Sequence, residues 1–539
     1  MLLAFLILFV DRTSSAATHT VKITNGVIEG RELTATYSIF GDQTGLVFLG
    51  IPHLQPPIGE LRFRKPVRNT KKWTGILETK EMKPPCFSDP VETYKRPEGG
   101  PTSEDCLYIN VYTNHYCLEH KNCSVMVAIH GGQMTKESPA TYHSDVIVHN
   151  FVGQNRNIVV VTVPYRLGVF GLPNLRGDLT GSAERNLILY DVIEGLEWTE
   201  REIASFGGDP AKTTLFGHSG GATIGMILSF RPQFDHLYSQ RVSLSMPLIM
   251  HSELANSKFF AKVATNLGCS SDRFETGKVF DCLRNVSAEK LFEMQDHVFH
   301  FEEEYFADFA IDGNLLLDQP RRLLKQGNFS KKPLLIGTVP YELMYNQYLI
   351  DKNGDVRKED LLEMCKLFAF TGEYEKPYGF LEMCMYFYGK KEHAPFLLDH
   401  FVFQVPPSYL AKHHASEQPV YLYQNTYSGA GFAYDKYFPG SLSPVHSEDF
   451  IYYMGVHRSR NFTRKDLRIE QILTGMIADF VNFGKPKLPG SQKWEQLDPH
   501  LMNYMHIDFD EKFQTPGMKS GFYKTEFQFW NETVPKCEN

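Results

Sequence analysis

The sequence has no excess of basic residues and, beyond its first residues, no long apolar run. Its 539 residues include 55 Lys and Arg against 63 Asp and Glu, which gives a net charge of −8. This balance argues against a protein that binds nucleic acid or another polyanion. No later segment offers roughly 18 consecutive apolar residues, so we expect no integral membrane segment.

The sequence also lacks the short motifs that commonly bind metal ions. It has no Cys-x-x-Cys pair and no His-Glu-x-x-His stretch, so we expect no metal site and no cofactor. No low-complexity linker, long charge block or internal repeat interrupts the chain after its N-terminal segment. With 42% hydrophobic and 22% charged residues, the composition is that of a globular protein. We therefore expect residues 18–539 to form a single domain.

The N-terminal residues have the pattern of a secretion signal. Residues 2–10 are apolar, polar residues follow, and small residues at Ser15 and Ala17 offer a cleavage site. The pattern predicts a signal peptide over residues 1–17, although no Lys or Arg precedes the apolar run, and a buried N-terminal segment is the alternative. Acceptor sequences for N-linked glycans begin at Asn122, Asn285, Asn328, Asn461 and Asn531. Together these features predict a protein that is secreted or lies in the lumen of the secretory pathway.

Nine cysteines are present, and secretion makes disulfides their expected state. The pairs that would close short loops are Cys86 with Cys106, Cys117 with Cys123, and Cys269 with Cys282. Cys365 and Cys384 are more ambiguous, and buried reduced thiols are the alternative for every pair. Because nine is odd, Cys537 is left over if the other eight pair, and it could stay free or link two chains in a homodimer.

Short apolar runs rich in β-branched residues alternate with helical patterns. The runs are Val125–Ile129, Ile158–Val163, Thr213–Phe216, Pro333–Gly337 and Val420–Tyr423. Such runs are typical of strands buried on both faces of a mainly parallel sheet. Apolar residues at helical spacing cover residues 189–196 and 469–480. The alternation predicts an α/β fold with helices on both faces of the sheet.

The stretch after one of these strands has the pattern of a nucleophile elbow. Residues 217–221 read Gly-His-Ser-Gly-Gly between the strand that ends at Phe216 and an apolar segment compatible with a helix. Glycines on both sides of Ser219 would permit the tight turn that exposes its hydroxyl. The alternative is a glycine-rich turn with an inert serine.

A second motif follows another predicted strand. Residues 130–133 read His-Gly-Gly-Gln, at a place where backbone N–H groups can stabilise an oxyanion.

With these motifs the chain resembles the type-B carboxylesterase and cholinesterase family of α/β-hydrolases. Further blocks that carry the resemblance are FLGIP at 48–52, LRF at 61–63, SEDCLY at 103–108, PYRLG at 164–168, FGGDP at 206–210 and RNFT at 460–463. The blocks span nearly the whole chain in the order of the family. The resemblance implies an α/β-hydrolase fold and a serine esterase that needs no cofactor.

The resemblance also implies the other site residues. Glu342 follows an Ile-Gly strand end and matches the catalytic acid, while His446 precedes an acidic and aromatic segment and matches the catalytic base. The backbone N–H groups of Gly132, Gln133 and Gly220 match the oxyanion hole. Pro340 and Leu343 differ from the residues usual around the acid, Gln133 replaces a glycine, and residues 218–220 (His-Ser-Gly) replace Glu-Ser-Ala. We expect His218 to lie in the structure that supports the elbow.

The resulting expectation is a secreted serine carboxylesterase that acts on a small-molecule ester. One alternative is a cholinesterase, but residues 87–105, inside the first predicted disulfide loop, contain no Trp for a quaternary ammonium group. The other alternative is a non-catalytic adhesion or binding protein, because the family includes members that have lost catalytic residues and the oxyanion loop here is altered. The retained Ser219, Glu342 and His446 favour an enzyme.

Overall fold

The computed structural model describes most of the chain after residue 17. The described residues are 18–36, 40–88, 99–175, 177, 179, 181–248, 253–269, 275–301, 308–343, 349–369, 376–429, 443–456, 458, 462–489 and 493–534. The predicted signal peptide, Asn461 and Cys537 lie outside these residues.

The described residues contain thirteen strands in one sheet. The strands are β1 Thr18–Ile23, β2 Gly26–Ala35, β3 Gln43–Pro52, β4 Ile76–Glu78, β5 Tyr108–Thr113, β6 Cys123–Ile129, β7 Val159–Val163, β8 Gly208–His218, β9 Gln240–Leu244, β10 Leu334–Thr338, β11 Val420–Asn425, β12 Tyr504–Ile507 and β13 Gly517–Lys519.

The helices of the described residues lie mostly between the strands in sequence. They are α1 His115–His120, α2 Ser144–Ile147, α3 Gly168–Gly171, α4 Leu187–Glu202, α5 Gly220–Ser229, α6 Glu253–Asn266, α7 Thr276–Arg284, α8 Ala288–Phe301, α9 Pro320–Gln326, α10 Lys358–Ala369, α11 Pro377–Tyr388, α12 Val405–Ala415, α13 Phe450–Met454, α14 Arg464–Phe483 and α15 Lys524–Gln528.

The centre of the sheet is parallel and its edges are antiparallel. The order is β1-β2-β3-β5-β7-β6-β8-β9-β10-β11-β12-β13, and β4 pairs with β2 off this path. All neighbours from β7 to β12 run parallel. The other neighbours along this order run antiparallel, and β4 runs parallel to β2. The carboxyl ends of the parallel strands therefore lie along one side of the sheet, where α/β folds place their binding loops.

Strand β6 separates two hydrophobic cores because its side chains alternate between the faces of the sheet. Val125, Val127 and Ile129 belong to one buried cluster, which includes residues of α4 and α5. Met126 and Ala128 belong to a second cluster, which includes residues of α14 on the opposite face. The predicted α/β fold, with helices on both faces of a mainly parallel sheet, is confirmed.

The predicted central strands agree with the observed ones to within a few residues, except at the start of β8. The apolar run in the sequence begins at Thr213, but β8 begins at Gly208. Residues 209–212 (Asp-Pro-Ala-Lys) are only partly buried or exposed and do not continue the apolar run. Periodicity detects the buried half of this strand and misses the half that faces solvent.

Four disulfides join eight of the cysteines within the chain. They link Cys86 to Cys106, Cys117 to Cys123, Cys269 to Cys282, and Cys365 to Cys384. The three predicted pairs are formed. The fourth bond joins Cys365 of α10 to Cys384 of α11, and both cysteines are fully buried. The predicted interchain link finds no support, because these eight cysteines are paired internally and Cys537 lies outside the described residues.

Among the described residues, no helix is both long enough and apolar enough to cross a membrane.

Candidate active site

Ser219 occupies a strained turn between β8 and α5. Its backbone has φ 52° and ψ −125°, and its N–H donates to the carbonyl oxygen of Leu244, on the neighbouring strand, at 2.8 Å. A Cβ at Gly217 would lie 2.5 Å from the carbonyl oxygen of Gly221, and a Cβ at Gly221 would lie 2.2 Å from that of Ile129. Both glycines of the motif are therefore required by close backbone contacts, as an elbow demands.

The hydroxyl of Ser219 begins a continuous chain of hydrogen bonds. Its Oγ lies 2.9 Å from Nε2 of His446, and Nδ1 of His446 lies 2.7 Å from Oε2 of Glu342. The Glu342 side chain is fully buried, whereas 22% of the His446 side chain is exposed. The structure thus brings together three residues that are separated by 104 and 227 positions in the sequence.

Glu342 and His446 are held on loops that leave adjacent parallel strands. Glu342 follows β10 and His446 lies between β11 and α13. The two loops pair with each other, since the N–H of His446 donates to the carbonyl oxygen of Glu342 at 3.2 Å. Within its own loop, Glu342 accepts the N–H of Val339 at Oε1, at 3.0 Å. This bond leaves Oε2 directed to the imidazole, so the orientation of the carboxylate is defined.

A second acid, Asp449, is buried close to these residues. It lies three positions after His446 and directly before α13, and 3% of it is exposed. Burial raises the pKa of Asp449 to about 7, and repulsion by Glu342 adds to the increase, while His446 opposes it. Two buried carboxyl groups therefore lie near one imidazole, but the hydrogen bond joins His446 to Glu342.

The loop after β6 lies directly against the elbow because β6 and β8 are neighbours in the sheet. A Cβ at Gly131 would lie 3.0 Å from Cβ of Ser219, and one at Gly220 would lie 3.6 Å from the backbone nitrogen of Gln133. Gly132 has φ 85°, and a Cβ there would lie 2.3 Å from the carbonyl oxygen of Lys136. The loop that carries residues 131–133 therefore lies close to Ser219 and Gly220.

Comparison with known proteins identifies the family to which this fold and site belong. The model of the carboxylesterase family matches residues 17–530.

The chain belongs to the carboxylesterase family.

Similar proteins include three mammalian members of the family. Carboxylesterase 1E of Mus musculus is 26% identical, over 94% of this chain and 93% of the relative. Liver carboxylesterase B-1 of Rattus norvegicus is 25% identical, over the same 94% and 93%. Liver carboxylesterase 1 of Oryctolagus cuniculus is 26% identical, again over 94% and 93%. The match extends over almost the full length of both chains, at low identity.

In this carboxylesterase-family chain, the PYRLG block supports the loop after β6. The hydroxyl of Tyr165 lies 2.7 Å from the carbonyl oxygen of His130 and 3.1 Å from that of Gly131, and its ring stacks on the imidazole of His130 at 4.1 Å. Next to it, a buried ion pair joins Arg166 to Asp191 at 2.7 Å. The sequence alone does not reveal this role, because it depends on β7 lying beside β6 in the sheet.

Glu137 supports the same loop from within the protein. It is buried, and its Oε2 accepts the N–H of Gly131 at 3.3 Å. Burial raises the pKa of Glu137 to about 7, while the bond from Gly131 works in the opposite direction. His130 is also buried, and burial lowers its pKa to about 3, so that its ring is neutral near pH 7. Near pH 7 the ring of His130 is therefore neutral and the carboxyl of Glu137 is only partly ionised.

Met134 is a neighbour of the site that the sequence analysis missed. Its side chain is buried, and a Cβ at Gly220 would lie 2.9 Å from its Sδ. The alanine that is usual after the elbow serine would therefore contact this sulfur too closely, so Gly220 and Met134 fit each other. No local motif indicates this contact, because Met134 and Gly220 lie on loops that are far apart in sequence.

His218 is fully buried next to the imidazole of His446. Its ring stacks on Phe450 with centroids 4.0 Å apart and lies 5.2 Å from the ring of His446. Its Nε2 lies 3.3 Å from Oγ of Ser447, the residue that follows His446. The side chain thus lies in the structure that supports the elbow, as expected from the sequence.

Among the described residues, one cluster of side chains has the residue types and the spacing that could bind a metal ion. It comprises His19, Glu32 and His115, and it lies on the antiparallel side of the sheet rather than beside Ser219.

Proposed function

We propose that this protein is a serine carboxylesterase that hydrolyses carboxylic esters through an acyl-serine intermediate. The observation that carries the proposal is the unbroken hydrogen-bond chain from Ser219 through His446 to Glu342. The relatives named above are carboxylesterases, which supports an ester-hydrolysing activity for this chain. Turnover of short p-nitrophenyl esters by the wild type and by Ser219→Ala tests the proposal.

In the proposed reaction, His446 accepts the proton of Ser219 while Oγ attacks the carbonyl carbon of the ester. The imidazolium that forms is stabilised by the buried carboxylate of Glu342, which also keeps the proton on Nδ1. His446 then donates its proton to the departing alcohol and leaves an acyl-serine. Water, deprotonated by the same imidazole, attacks the acyl group and releases the acid.

Negative charge develops on the carbonyl oxygen at each tetrahedral stage. We assign its stabilisation to the backbone N–H groups of Gly132, Gln133 and Gly220, and the closeness of the loop after β6 to Ser219 and Gly220 supports this assignment. A donor of this kind contributes about 3–4 kcal/mol to the transition state. Because the donors are backbone groups, the change from glycine to glutamine at position 133 does not remove one.

The side chain of Gln133 should restrict the acyl groups that the enzyme accepts. It is exposed on a loop that lies against the elbow, so an acyl chain bound to Ser219 has to share this space with it. We expect Gln133→Gly to raise kcat/KM for long or branched acyl groups by about 10-fold relative to acetate, because a steric contact of about 1.4 kcal/mol is removed. The measurement is kcat/KM across p-nitrophenyl esters of increasing acyl length.

The matched control is Lys136→Ala, which truncates a half-buried side chain on the same loop three residues later. It should shift all esters by a similar factor. An acyl profile that is the same in Gln133→Gly and in the wild type would contradict the steric role of Gln133.

We further propose that residues 18–539 are one secreted domain, released after removal of residues 1–17. A single sheet contains strands from Thr18 to Lys519, and four internal disulfides are compatible with the secretory pathway. Of the glycan acceptors, Asn122, Asn285 and Asn328 are exposed. Asn531 is half-buried and donates to the carbonyl oxygen of Phe527 at 3.1 Å.

We expect glycans on the three exposed acceptors and not on Asn531. Digestion of the protein from eukaryotic cells with an N-glycan endoglycosidase should lower its apparent mass, and replacing the three exposed asparagines together with Asn461, the acceptor outside the described residues, with glutamine should remove that change. An unchanged mass after digestion of the wild type would contradict the secretory route.

A further inference from the structure

We infer that His19, Glu32 and His115 form a surface binding site for a divalent transition-metal ion, with Zn²⁺ as the best match. One ligand atom from each residue lies within 4.8 Å of the other two. Two imidazoles and one carboxylate are a ligand set that Zn²⁺ uses in proteins, with a fourth position left to water. This inference does not depend on the proposed esterase function.

The register of the sheet explains why these residues meet. His19 on β1 is paired with Gly30 on β2, and Glu32 is two positions further along β2. Two residues apart on a strand share a face, so His19 and Glu32 are diagonal neighbours on the same side of the sheet. In the next strands, Glu32 pairs with Leu46, and Leu46 pairs with Thr113 at the end of β5. His115 follows two residues later.

The separations suit a small cation with little rearrangement. Nε2 of His115 lies 3.2 Å from Oε1 of Glu32, close to the spacing of about 3.4 Å between two ligands on a tetrahedral Zn²⁺ with bonds of about 2.0–2.1 Å. The rings of His19 and His115 meet edge to face with centroids 4.7 Å apart. The larger separations have to shorten by at most about 1.4 Å, which the partly buried His19 and the exposed His115 reach by rotating their side chains.

Two of the three ligands are on firmly held backbone. Glu32 is in β2, which is paired on both sides, and His115 opens α1 next to the disulfide between Cys117 and Cys123. The side chain of Asn114 caps α1 by accepting the N–H of Cys117 at 2.8 Å. His19 is different, because it lies on β1 at the edge of the sheet. A bound ion would therefore fasten the edge strand to α1.

This site lies away from the proposed active site. β1 and β8 are six strands apart in the sheet, which corresponds to roughly 29 Å at about 4.8 Å per strand. In addition, β5 runs antiparallel to β7, and Tyr112 near its end pairs with Val160 near the start of β7. The cluster therefore lies near the amino ends of the parallel strands, whereas the loops with Glu342 and His446 lie at their carboxyl ends.

The test is a calorimetric titration of the full-length mature protein, without a polyhistidine tag and freed of metal by a chelator, with Zn²⁺ at pH 7.5. We expect one ion per chain. His19→Ala, Glu32→Gln and His115→Ala should each weaken binding by at least about tenfold, because each removes one of three protein ligands. Zn²⁺ should also raise the Tm of the wild type and have less effect on these variants.

The matched control is His120→Ala, which removes another exposed histidine from α1 that is outside the cluster. Its Zn²⁺ affinity should equal that of the wild type, and the variants should keep the wild-type rate of ester hydrolysis. The inference is overturned if the wild type shows no saturable binding, if His115→Ala binds as tightly as the wild type, or if His120→Ala loses affinity to the same extent.

Discussion

Replacement of Ser219 by alanine should lower kcat for a short p-nitrophenyl ester by about 10⁵-fold or more. The reason is that Oγ both forms the bond to the acyl group and gives its proton to His446, from which it lies 2.9 Å away. Removing one hydroxyl from a side chain that makes no other bond to the elbow should change the free energy of unfolding little. Steady-state turnover and thermal unfolding of the purified variant measure these two effects.

Ser229→Ala provides a matched control in the same helix. Ser229 is the last residue of α5, is fully buried, and donates its hydroxyl to the carbonyl oxygen of Met226 at 2.6 Å. Its loss should cost about 1 kcal/mol of stability and leave kcat near the wild-type value. Equal turnover by Ser219→Ala and the wild type would exclude Ser219 as the nucleophile, and no turnover by either would favour the non-catalytic binding protein.

The central sheet is predictable because its strands are buried on both faces. β6 and β7 have no exposed residue, so they appear in the sequence as continuous apolar runs. The antiparallel strands at the N-terminal edge are not predictable in this way. In β1 only Val21 and Ile23 are buried, so its sequence has no continuous apolar run. A strand that is buried on one face has a weaker hydrophobic pattern in its sequence than a strand that is buried on both faces.

The residues of the candidate site also differ in how far the sequence predicts them. Ser219 and its glycines form a local motif, because a tight turn imposes residue types at fixed spacing. Glu342 and His446 reach the site through the fold, and only the resemblance to a family points to them in the sequence. Met134, Asp449 and the metal-ligating cluster follow from packing and strand register. No local pattern encodes such contacts, since the residues that meet come from separate elements.

Glu342→Gln should lower kcat by about 10³–10⁴-fold with little loss of stability. Val339 donates its N–H to Oε1, and the amide oxygen can keep this bond. The amide nitrogen then takes the place of Oε2 and presents N–H groups to Nδ1 of His446. The imidazole must accept there and carry its proton on Nε2, so it can no longer accept the proton of Ser219. The kcat of the purified variant tests this expectation.

Asp449→Asn is the decisive comparison, because Asp449 is a second buried acid that interacts electrostatically with His446. Its pKa of about 7 means that a large fraction of this carboxyl is protonated at neutral pH, whereas the acid of a triad has to be charged to stabilise the imidazolium. We therefore expect Asp449→Asn to lower kcat by no more than about 10-fold. If Asp449→Asn instead reduces kcat more than Glu342→Gln does, then Asp449 is the acid that orients His446, and the assignment of Glu342 is wrong.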